Sequence, residues 1–156
     1  MKKILNNLEE YILIMLFPIM TIIVFISTMF RYFKLGAIPW SEELARYLMV
    51  WIAYIGASLG IKRNAHLGVE IVVNKLPEKL KIVSQYIRVA IILIFNLLII
   101  IFSYRIMKHQ INMGQISPAL AIPIWMAYLA IPVGALLMFI RSIQIIIYKN
   151  NKVVKQ

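Results

Sequence analysis

Four apolar runs, each long enough to cross a membrane and nearly free of charge, constrain this chain more than any other feature of its sequence. A helix rises 1.5 Å per residue, so about 20 apolar residues cross a hydrocarbon layer of roughly 30 Å. Backbone N–H and C=O groups cannot be left unpaired in hydrocarbon, which makes each run a helix. The predicted spans are about 11–30, 43–61, 81–104 and 124–148. The expected fold is therefore an all-α integral membrane protein of four transmembrane helices, forming one domain over residues 1–156. With 62% hydrophobic residues, an ordinary soluble core is excluded. The first run follows Lys2 and Lys3, but it is too long for a secretory signal and no small-residue cleavage site follows it.

Charge sets the expected orientation. The net charge of +11 gathers at helix ends instead of on one basic face, so it speaks for topology and against nucleic acid. One side of the membrane would hold Lys2, Lys3, Lys62, Arg63, Lys75, Lys79, Lys81, Lys149, Lys152 and Lys155, the other Arg31, Lys34, Arg105 and Lys108. The excess of lysine and arginine marks the cytoplasmic side, which places both termini in the cytoplasm.

The stretch from Pro39 to His66 carries the most local information. Pro39 and Ser41 suit a helix start, with the serine hydroxyl free to accept a first-turn N–H. Glu42 and Glu43 follow in the first turn, where the helix dipole favours negative charge. Arg46, four residues after Glu42 and three after Glu43, can reach either carboxylate, so the three predict an ionic clamp at the membrane edge, with Trp51 one turn deeper. The alternative is that these charges are solvated anchors. Ala53, Gly56, Ala57 and Gly60 then form a flat face against which another helix could pack closely.

After Arg63, the segment through His66 to Pro77 mixes apolar and polar residues and is too short to cross the membrane; a short interfacial helix lying along the cytoplasmic lipid surface is expected. Pro77 suits the first turn of the third helix, and Leu80, Val83 and Ile87 share one face of its start. Arg88 and Arg141, near the cytoplasmic ends of the third and fourth spans, are expected to snorkel to the interface beside Arg63 and His66. Asn96 is placed for an interhelical hydrogen bond. Pro18 and Pro132 lie inside the first and last spans and predict distortion there. An external loop is expected from Arg105 to Pro123, containing Pro118, with Trp125 and Tyr128 as an interfacial aromatic belt.

The residues offer little chemistry. The six acidic residues are all glutamate, and the two histidines, His66 and His109, fall on opposite sides of the membrane in this topology, so they cannot share one metal ion or haem. Without cysteine there is no disulfide and no thiolate metal site. No phosphate-binding glycine loop or nucleophile elbow occurs, and no internal repeat of the kind that marks complete secondary transporters. The reading is of a subunit without catalytic residues, cofactor or metal. A self-contained four-helix transporter and the membrane anchor of an oxidoreductase are the alternatives.

Two blocks carry a family resemblance. The first is Trp40-Ser41-Glu42-Glu43, Arg46, Trp51 and Gly56-Ala57, continuing to Arg63 and His66; the second is Ser117-Pro118-Ala119-Leu120, Pro123, Trp125, Tyr128, Ile131-Pro132 and Gly134. Together they resemble the small membrane subunit of tripartite ATP-independent periplasmic (TRAP) transporters, the DctQ-like family. The resemblance implies a scaffold in the bacterial inner membrane, bound to a large permease subunit and served by a periplasmic substrate-binding protein. It further implies that sodium and an organic acid, such as a C4-dicarboxylate or sialic acid, bind the elevator-type large subunit.

Overall fold

A computed structural model describes residues 7–63 and 77–153. They fold into α1 (Leu8–Tyr32), α2 (Pro39–Lys62), α3 (Glu78–Met113), a single turn α4 (Trp125–Tyr128) and α5 (Ala130–Val153). Four stretches are long and apolar enough to cross a membrane: Leu8–Tyr32, Pro39–Lys62, Val89–Met113 and Trp125–Ile145. The expected interfacial helix, with His66, lies outside the described residues.

The helices stand in a row. Among the described residues, α2 packs on α1 and on α5, and α5 packs in turn on α3, while α1 and α3 form the two ends. Consecutive helices α1 and α2 are antiparallel, as the short connection between them requires. Their non-consecutive neighbours α2 and α5 run parallel, because the loop after α3 meets the start of α2 and Arg141 lies level with Ser58 and Glu9. The buried core, Ile61, Ala135 and Met138, sits where α2, α5 and α3 meet, with Tyr54, Ile92, Ile99, Ile100 and Ile145 against it.

One helix end differs from expectation for a physical reason, and the last span is distorted beside Pro132 as expected. The third helix continues through Arg105, Lys108 and His109, since nothing in 105–113 interrupts a helix until Gly114 adopts a left-handed φ of 60° and caps it. The external loop is accordingly shorter than the predicted Arg105–Pro123. The last span is broken at Leu129. Pro132 has no N–H to return to the carbonyl one turn earlier, so the helix resets there. By contrast α1 runs unbroken through Pro18.

Candidate functional site

Two polar clusters lie at opposite ends of the helices, and they have different architectures. At the first, α2 begins with Ile38 in extended conformation and Pro39 in the first turn. Ser41 does not accept a first-turn N–H as expected. Its hydroxyl donates to the Ile38 carbonyl oxygen at 2.7 Å and lies 2.9 Å from the hydroxyl of Ser27 on α1. Glu42 pairs with Arg31, the last charged residue of α1. Glu43 points the other way, toward the loop between α3 and α4: one oxygen accepts the Tyr47 hydroxyl at 2.6 Å, the other accepts the backbone N–H of Ala119 at 3.0 Å and of Leu120 at 3.2 Å.

That loop is a tight structure of its own. Ser117 N–H donates to the Ile122 carbonyl at 2.8 Å and Ile124 N–H to the Gln115 carbonyl at 3.1 Å, so its two limbs pair across an isolated bridge between Ile116 and Pro123. The buried Ser117 hydroxyl accepts Leu120 N–H at 3.1 Å, and Ala121 closes the turn in a left-handed conformation, φ 54°. Glu43 thus ties together the two blocks that carry the family resemblance.

The predicted clamp is thereby corrected. Arg46 is exposed and takes neither carboxylate, because Glu42 meets an arginine across the helix hairpin and Glu43 meets peptide N–H groups that have no helical partner. Spacing gave Arg46 the reach, but better-placed donors occupy both acceptors. Trp51 is half-buried on the same helix.

At the opposite end, Glu9 in the first turn of α1 is fully buried. Arg141 of α5 grips it with two bonds, Nε to one oxygen at 2.6 Å and a terminal nitrogen to the other at 2.7 Å. Ser58 of α2 lies 3.4 Å from Glu9, and Gln144 accepts a further Arg141 N–H at 2.7 Å. Around this pair Lys62 reaches Asn7 at 3.2 Å and Glu10 at 3.4 Å, and Arg63 reaches Glu10 at 3.2 Å. The expectation that Arg141 snorkels is corrected: it is buried, because a carboxylate waits for it on another helix. Arg63 is exposed as expected; Arg88 lies on α3, with its side chain outside the described residues, as is His66.

The small-residue face also behaves differently from expectation. Ala53 and Ala57 are exposed, and a Cβ built on Gly56 or Gly60 would meet nothing within 4 Å, so among the described residues this face packs against no helix. It continues an outward stripe of α2 through Glu42, Arg46 and Met49. The close approach lies at Gly134 on α5, where a methyl group would overlap Tyr54 of α2 and come within 3.2 Å of its backbone carbonyl carbon. Pro118 and Pro123 are exposed on the loop, and Trp125 and Tyr128 are half-buried in α4. Sequence reasoning missed Glu9 as a site residue; its signal was the pair Glu9 and Glu10 in the first turn of a mainly apolar helix.

Comparison with known proteins gives these features a family. The chain matches the DctQ component of the tripartite ATP-independent periplasmic transporters over residues 20–149. It is 32% identical to a protein of Haemophilus influenzae described as a TRAP transporter small permease, over 85% of this chain and 81% of that one. It is 26% identical to the C4-dicarboxylate TRAP transporter small permease protein DctQ of Rhodobacter capsulatus, over 93% of this chain and 77% of that one. It is 29% identical to the isethionate TRAP transporter permease protein DctMQ of Oleidesulfovibrio alaskensis, over 88% of this chain but 23% of that longer protein. This multi-pass membrane protein belongs to the DctQ component family of the tripartite ATP-independent periplasmic transporters.

Proposed function

We propose that the chain is the small subunit of a TRAP transporter in the bacterial inner membrane. It braces a large permease that takes up an organic acid from a periplasmic binding protein with sodium, by an elevator movement of the large subunit. The observation that carries this reading is the isethionate relative, in which the counterpart of this chain makes up 23% of a longer permease protein. The scaffold role is supported by the distribution of charge. No charged residue occurs within 11–30, 47–61, 89–104 or 124–140, and the buried ion pair of Glu9 and Arg141 ties helices to one another instead of facing a pathway. The outward stripe of Ala53, Gly56, Ala57 and Gly60 is a surface on which a helix of the large subunit could lie closely. The Glu9 end faces the cytoplasm and the loop at Pro118 faces the periplasm, as the excess of lysine and arginine favours.

Reconstitution tests the assignment. Liposomes holding this chain alone are expected to show no sodium-driven uptake of a labelled C4-dicarboxylate, sialic acid or isethionate. Uptake of one such acid is expected when the chain is combined with its large TRAP permease and a periplasmic binding protein. Robust uptake by the isolated chain would overturn the scaffold reading.

A further inference from the structure

The 25-residue helix α1 has a single buried residue, and that residue is charged: Glu9 is 0% exposed, while every other side chain of the helix stays at least partly open. In lipid this distribution decides how the helix is held. An apolar face gains little by leaving acyl chains for another apolar face, so helix association rests on close packing and on polar contacts. Although α1 runs along α2, that packing buries none of its apolar side chains completely.

What receives Glu9 is assembled from two other helices. Ser58 of α2 is 0% exposed and Arg141 of α5 is 7% exposed, and both turn toward the same carboxylate. Arg141 presents two parallel N–H groups to the two oxygens, the geometry in which a guanidinium recognises a carboxylate, and its third nitrogen is fixed by Gln144. The neighbouring ties from Glu10 to Lys62 and Arg63 are more open to solvent, with the Arg63 side chain 62% exposed, and are correspondingly screened. The family match covers residues 20–149, and Glu9 lies outside it.

We propose that Arg141, oriented by Gln144, forms a carboxylate socket whose ligand is Glu9, and that this socket docks the Glu9 end of α1 against the buried surface of α2 at Ser58. The other end of α1 is joined to α2 through residues 33–38, so it remains near whether or not the socket is filled. Emptying the socket releases one end of one helix.

The absence of cysteine makes the test direct. Ser58→Cys places a single thiol beneath Glu9, and Ser103→Cys places one on α3, where Ser103 is 5% exposed and remote from α1. The full chain is purified in mild detergent and the rate of maleimide labelling is measured with Glu9 intact, with Glu9→Ala and with Arg141→Met. Labelling of Ser58→Cys is expected to be slow with the socket filled and about tenfold or more faster in either variant, as local opening exposes the site. Labelling of Ser103→Cys is expected to stay slow in all three backgrounds. Equal rates for Ser58→Cys in every background would overturn the proposal. So would acceleration at both positions, because that reports loss of the whole fold and not release of α1.

Discussion

Arg46 and Glu43 lie one turn apart on α2, yet the helix turns Arg46 outward and aims Glu43 at a loop 76 residues further along the chain. Helical spacing tells which partners are within reach; it does not tell which competing donor lies nearer. The exposed Arg31 and Glu42 side chains retain 68% and 50% of their accessibility, so their pair is worth about 0–1 kcal/mol. Thermal unfolding of the purified chain is therefore expected to shift little on Arg31→Ala or Arg46→Ala. Glu43→Ala is different in kind, because the Ala119 N–H loses its acceptor and the Leu120 N–H is left with the Ser117 hydroxyl alone. Limited proteolysis is expected to cut within 114–124 faster in Glu43→Ala, whereas Glu43→Gln, which keeps a carbonyl oxygen in place, stays close to the parent; equal cleavage in all three would refute the tie. Both partnerships of Glu9 and Glu43 were beyond reach of the sequence alone, because each joins residues far apart in the chain by a contact that leaves no periodic mark.

Spans were legible because mean polarity along a membrane helix is set by lipid, and all four predicted spans correspond to helices. Their internal detail was less so. Small residues of α2 looked like a packing face because closeness needs small side chains, but the structure uses the single Gly134 for that purpose and leaves Gly56 and Gly60 uncovered. This contrast separates two kinds of variant. Gly134→Ala forces α5 away from the Tyr54 backbone and is expected to lower the stability of the isolated chain by about 1–3 kcal/mol, read from denaturation in detergent. At Gly56 and Gly60 a Cβ meets no described atom within 4 Å, so Gly56→Leu and Gly60→Leu are expected to leave that stability unchanged while lowering the yield of large permease recovered with the tagged chain. Unchanged recovery would remove the outward stripe from the subunit contact.

For the molecule as a whole, a row of helices offers far more surface to its surroundings than a closed bundle does, and large apolar side chains such as Phe17, Phe25, Ile91 and Phe95 are exposed along its two end helices. The orientation proposed for the row in the membrane rests on its charges. Reporter fusions are expected to place the C-terminus and position 74 in the cytoplasm and positions 34 and 112 in the periplasm; a periplasmic C-terminus would invert the molecule.

The neighbour relations also impose a schedule on biogenesis. Glu9 and Arg141 are separated by 132 residues, and at about 5–20 residues per second of synthesis the carboxylate exists for roughly 7–26 s before its guanidinium is made. Through that interval α1 and α2 can form a hairpin while Glu9, in the first turn of its helix, remains within reach of the hydrated headgroups. Burial of that charge belongs to the step at which α5 enters beside α2, so the first helix is secured only after the 132 residues that separate Glu9 from Arg141 have been made.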